Sequence, residues 1–179
     1  MGRMRSLLWS AAVLAFGLTL APAPSAVAED IGDVACIGGS LHVQFNPGVT
    51  FSRNTVRLTA NGDLGVCASQ KHPKITGGII RAEASLTAAC PGPFGPGSAK
   101  VTISWNDGSR TVVDQSTFRG DSSSFGFEGG SIATGAFTGG PARANGRTTS
   151  NLIELGAGCV LGGVTSYAVS IDQFAVGDL

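Results

Sequence analysis

Residues 100–118, KVTISWNDGSRTVVDQSTF, constrain this chain more than any other stretch. Val101, Ile103 and Trp105 fall on one face of an alternating strand, with Thr102 and Ser104 on the other. Asn106-Asp107-Gly108-Ser109 then supplies turn chemistry, because Asn and Asp tolerate left-handed backbone and Gly takes positive φ without steric cost. Thr111 to Phe118 returns as a second β-rich run. A chain built around this hairpin makes antiparallel sheet. Trp105 has two readings: it extends the core face of Val101 and Ile103, or it joins Asn106 and Asp107 as a ligand contact, as exposed tryptophans do on sugar-binding β-sandwiches. The alternation favours the core.

Other segments repeat the pattern. Leu41 to Phe45 alternates and meets Asn46-Pro47-Gly48, which reads as a turn. Asn54 to Ala60 alternates, Asn61-Gly62-Asp63 reads as a second turn, and Leu64 to Ala68 returns through Cys67. Residues 69–78 read as a polar connection, and Ile79 to Cys90 as the longest strand, with Ile80, Ala82, Ala84, Leu86 and Ala88 on its inner face. Pro91 to Ser98 carries three prolines and reads as irregular. Phe125 to Thr138 reads as one or two strands, Gly139 to Asn151 as a mobile loop, Leu152 to Leu155 and Cys159 to Leu161 as short pieces, and Val164 to Phe174 as a closing strand. No window shows convincing helical periodicity. The expected fold is all-β: a single antiparallel β-sandwich or barrel-like domain.

Residues 1–28 read as a signal peptide. Arg3 and Arg5 form a basic start, Leu7 to Leu20 an apolar run, and Ala26-Val27-Ala28 a small-x-small cleavage signal. Cleavage after Ala28 leaves residues 29–179 as one secreted domain with no later membrane span. It also removes Arg3 and Arg5 from the 12 basic residues and leaves all 12 acidic ones, so the net charge becomes −2. The basic residues are scattered singly, which argues against nucleic acid as a partner.

Cys36, Cys67, Cys90 and Cys159 read as two disulfides in an exported chain. Of the three connectivities, Cys67–Cys90 with Cys36–Cys159 is favoured here: the first closes a local excursion and the second ties the ends together. A zinc site would want close-spaced pairs such as C-x-x-C, and the sequence has none.

Motifs that carry chemistry are present only as fragments. Gly120-Asp121-Ser122 and Thr87-Ala88-Ala89-Cys90 resemble fragments of trypsin-type motifs, but the first lacks the Gly-Gly that shapes an oxyanion hole and the second lacks its histidine. His42 and His72 could act as bases or ligands, yet both read as surface residues. No catalytic, metal or cofactor residues are expected. A hydrolase would have to assemble its acids from separate strands, for example Asp114 with Glu83 or Asp172. A protease inhibitor would have to present a loop such as Pro91 to Ser98.

The signal segment, the Cys67 to Cys90 spacing, Ile103-Ser104-Trp105-Asn106-Asp107-Gly108, and Gly130-Ser131-Ile132-Ala133-Thr134-Gly135 with Phe137 downstream resemble the small exported β-rich proteins of actinobacteria. The resemblance implies a disulfide-stapled β fold and carries no active residues. The leading functional expectation is a non-enzymatic extracellular binding module whose partner is a glycan, a small molecule or a protein.

Overall fold

In the computed structural model, residues 33–177 are described, so the signal segment at 1–28 lies outside the described residues. The described residues make nine strands and one helix: β1 (Val34–Val49), β2 (Asn54–Ala68), β3 (Gly78–Ala88), β4 (Phe94–Trp105), β5 (Arg110–Gly120), β6 (Ser124–Gly129), β7 (Ser131–Gly135), β8 (Ala142–Thr148), α1 (Leu152–Leu161) and β9 (Val164–Val176). All strand pairings are antiparallel. The order β4-β3-β2-β1-β9-β8-β6-β5 closes on itself because β4 also pairs with β5. The result is an eight-stranded closed barrel, with β7 added against the first half of β5. Of the two expected architectures, the barrel is the one formed.

The seam is the hairpin at residues 100–118. Ser104 pairs with Arg110, Thr102 with Val112 and Val101 with Val113. Val101, Ile103, Trp105 and Val113 point into the barrel and are buried. They meet Leu41, Val43, Leu58, Ile80, Phe127, Val169, Ile171 and Phe174 from the other walls. Removing such side chains from water is worth about 1.5–3 kcal/mol each, so the interior of the barrel is the core.

Several expected turns are not turns. Asn61-Gly62-Asp63 lies in the middle of β2, where Asn61 pairs with His42 on one side and Arg81 on the other. The local Asn-Gly preference loses to two flanking ladders. Gly62 is needed there for space: a Cβ would sit 1.8 Å from the Ser40 carbonyl oxygen. Asn46-Pro47-Gly48 likewise stays inside β1, absorbed by a register shift against β9 between Gln44 and Val49. Pro91 to Ser98 is only half irregular. β4 starts at Phe94, and the register jumps between Phe94 and Gly97 accommodate Gly95-Pro96 as a bulge. No free loop stands at residues 94–98.

The segment 139–151 contains β8, whose Ala142 and Ala144 are buried. Residues 152–161 form one helix instead of two short pieces. Asn151 caps it by accepting a hydrogen bond from Ile153 N at 2.9 Å, and Gly162 at φ 137° ends it. The strand at 79–90 runs Gly78–Ala88 and is shorter than β1 and β2. Its inner face is as expected.

The disulfides are Cys36–Cys67 and Cys90–Cys159, which corrects the expected pairing. The expectation took residues 67–90 as a local excursion closed by its own two cysteines. Because β2 runs straight through, Cys67 sits directly opposite Cys36 across β1 and β2, with Cα atoms 3.9 Å apart. Cys90 lies at the far end of β3, about 35 Å along the strand direction from Cys67's end of the barrel. There it fastens α1 through Cys159.

Two outcomes follow from this architecture. Non-reducing peptide mapping of the purified protein should join Cys36 to Cys67 and Cys90 to Cys159; a Cys67–Cys90 peptide would contradict the barrel register. Gly62→Ala should destabilise the fold by about 1–3 kcal/mol, the scale of an overpacked position, read as a lowered denaturant midpoint.

Candidate functional site

The expected ligand contacts of the hairpin turn have other partners. Trp105 is 3% exposed and lies within the core, so its ring cannot stack on a ligand from outside. Its Nε1–H donates to Thr111 Oγ1 at 2.9 Å, and that hydroxyl donates to the Ala136 carbonyl at 3.0 Å. Phe137 packs edge-on against the indole, with ring centroids 6.0 Å apart. Asn106 is exposed, but its side chain ties down the connection between β2 and β3: Oδ1 accepts from Thr76 N and Gly77 N, and Nδ2 donates to the Lys74 carbonyl and Thr76 Oγ1. That connection buries Ile75 as a plug in this end of the barrel. Asp107 Oδ1 accepts from Ser109 N and Ser109 Oγ, a local Asx turn. The Ser109 hydroxyl, foremost, holds the Asp107 carboxyl below the usual carboxylate range.

The two histidines are on the surface. His42 is exposed on β1, and His72 meets the Phe137 ring edge-on at 4.9 Å. Among the described residues no group of three His, Cys, Asp or Glu is placed to hold a metal ion.

A more distinctive place is the outer wall over β2, β3, β4 and β5. A groove of about 560 Å³ there is lined by Arg57, Glu83, Ser85, Ser98, Lys100, Asp114 and Gln115, with Ala84 and Ala99 beneath. Strand register explains the gathering. Arg57 pairs with Ser85, Ser85 with Ser98, and Glu83 with Lys100, so one outward row crosses three strands. The seam supplies the rest. Ala99 pairs with Ser116 and Val101 with Val113, which leaves Asp114 and Gln115 of β5 opposite Lys100 alone. This two-against-one bulge puts Gln115 at φ 60°, a left-handed conformation that non-glycine residues seldom take. It aims Asp114 and Gln115 at the groove, and Lys100 Nζ stands 3.8 Å from Asp114 Oδ1.

Arg57 is shared with a second groove of about 420 Å³, lined by Gln44, Asn46, Thr59, Thr165 and Ser166. Together they form a polar track from β9 to β5. Of the acids named from sequence, Glu83 and Asp114 therefore line the same groove. Asp172 does not, because it is held by Arg147 at 3.0 Å on the β8–β9 face. Arg57, Lys100 and Gln115 escaped the sequence reading: nothing in their local context marks them, and only register and the bulge bring them together.

The barrel interior offers little room. A cavity of about 20 Å³, the space of a single water, lies among Leu41, Ala60, Ala82, Ala99, Phe125 and Tyr167. Tyr167 stacks on Phe45 at 5.6 Å, and its hydroxyl is buried with no hydrogen-bond partner among the described residues. Burial, and secondarily the charge of Asp121, push that hydroxyl's pKa well above the usual tyrosine range.

In comparison with known proteins, the chain matches no family model, no curated protein and no solved structure. Fold and groove together define a closed eight-stranded antiparallel barrel, twice disulfide-bonded, with a charged polar track on its outer wall.

Tyr167 is the chain's only tyrosine, which makes its titration directly readable. Its folded pKa lies above the unfolded value, so its contribution to stability is complete below about pH 10 and is lost as pH rises further. Phenolate absorbance should therefore appear only together with unfolding. Tyr167→Phe removes an unpartnered buried hydroxyl and should raise stability by about 1 kcal/mol at neutral pH. The gap between the two proteins should widen above pH 10; phenolate forming in the folded protein near pH 10 would refute the buried placement.

Proposed function

We propose that this chain is an exported, non-enzymatic binding protein that holds a polyhydroxylated ligand, a stretch of glycan, along its outer polar track. The observation that carries this reading is the Asp114–Gln115 bulge. A left-handed Gln115 costs on the order of 1 kcal/mol, and what it achieves is the alignment of Asp114 and Gln115 beside Lys100, Glu83 and Arg57. Charged donors and acceptors set among Ser85, Ser98, Thr59 and Asn46 suit sugar hydroxyls, each of which both donates and accepts. Export rests on the basic, apolar and small-x-small organisation of residues 1–28, and two disulfides accord with an oxidising compartment.

One observation favours a second reading. Glu83 and Asp114 line the same open groove, so a glycoside hydrolase acting there would draw its two carboxyl groups from them.

Titration calorimetry against soluble cell-wall and plant polysaccharides separates the two. Under the binding reading, a polysaccharide binds without release of new reducing ends. Arg57→Ala and Asp114→Asn then each weaken it about 10- to 100-fold, the range for hydrogen bonds to charged groups. Reducing ends that disappear in Glu83→Gln would establish the hydrolase. Binding to none of the polysaccharides would remove the glycan reading altogether.

A further inference from the structure

The helix α1 is anomalous on the surface of an exported protein. Its sequence, LIELGAGCVL, is apolar except for Glu154, yet only Cys159 is buried and only Leu155 packs partly against the core. Ile153 is 81% exposed and Leu161 84%, with Leu152 and Val160 also well exposed. Ten residues with two internal glycines make a helix that is marginal in water on its own. It is attached to the barrel by the Cys90–Cys159 disulfide and the packing of Leu155.

The exposed side is patterned. Leu152, Gly156 and Val160 form one four-residue row, and Ile153, Ala157 and Leu161 the next. At about 100° per residue these rows cover one half of the helix, with large side chains at both ends and small ones in the middle. Glu154 falls outside both rows. Such a face is complementary to itself when turned end for end. Rows of this kind interdigitate in the commonest class of helix crossing, and small residues at the centre let the two backbones come close. The large pairs of one helix then meet the large pairs of the other, as a two-fold interface requires.

We propose that α1 is the interface of a homodimer, in which the helices of two copies cross antiparallel at Gly156 and Ala157. Phe51 extends the patch: it is 61% exposed in the β1–β2 loop, where Thr50's carbonyl accepts from the backbone N–H of Cys90, the cysteine that holds the helix. The exposed apolar side chains of this tip present roughly 600 Å², the top of the range for the largest apolar patch on a monomer. Two copies face to face bury at most about 1,200 Å², the lower bound for specific, stable association. The dimer is accordingly a weak and reversible one.

Sedimentation equilibrium of the purified exported protein, from micromolar to millimolar concentration, tests this. The expected result is a monomer–dimer equilibrium. Gly156→Leu should weaken it at least tenfold. A Cβ at Gly156 meets nothing within 4 Å in the monomer, so this change blocks only the crossing. Ile153→Glu should weaken it similarly, and Val66→Glu, on the exposed barrel wall, should not. Tryptophan fluorescence confirms that each variant is folded. Overturning results are a monomer at every concentration, or a dimer that Gly156→Leu leaves unchanged. A monomer that co-sediments with phosphatidylcholine vesicles through Ile153 would assign the face to a lipid surface instead and equally overturn the dimer.

Discussion

Everything in this structure depends on the ladder between β4 and β5. Without it the eight strands would form an open sheet whose two edges, β4 and β5, expose unpaired N–H and C=O groups. With it the sheet closes, and the inward residues of every wall share one interior. Closure also fixes the turns at each end. At one end the β2–β3 connection plugs the barrel with Ile75, held in place by Asn106 of the seam's own turn. At the other, Cys90 at the end of β3 holds α1 across the opening.

The same seam makes the candidate site. Several ladders of the barrel shift register, and one of these shifts falls opposite Lys100. The extra residue does not disturb the core, because Val101 and Val113 remain fully buried on either side of it. It appears on the outside instead, as Asp114 and Gln115 turned together toward Lys100 and Glu83. The ladder that closes the core also carries the bulge that assembles the polar surface. The apolar helix at the far end is independent of both, tied to the barrel by a covalent bond more than by packing.

Much of the fold was legible because strands buried on one face write their period into the sequence. Leu41-His42-Val43-Gln44-Phe45 and Val101 to Trp105 keep the inward and outward positions their alternation implied. The expected turns failed where the residues had been read alone. Asn61-Gly62-Asp63 has the composition of a hairpin turn, but in the middle of a central strand Gly62 answers a different need, space for the Ser40 carbonyl. The disulfide pairing was missed for a related reason: Cys67 and Cys90 look local in sequence, but β3 carries the chain back along β2 and leaves Cys90 at the opposite end of the barrel. The helix was hidden for another reason. Gly156 and Gly158 break its apolar pattern, and its caps, Asn151 and Gly162, look like ordinary loop residues.

The candidate site was legible only in part. Glu83 and Asp114 could be named as acids for separate strands to bring together, and Asp172 as readily, because nothing local distinguishes them. By itself the sequence determined the β class, the four cysteines available for pairing, and the inward faces of most strands, since each of these follows from residue type and spacing along one strand. The tertiary structure decided the closure, which cysteine meets which, and which polar residues share a groove. Those are matters of register between strands, and register is set by the collective burial of all eight walls rather than by any residue's neighbours in sequence.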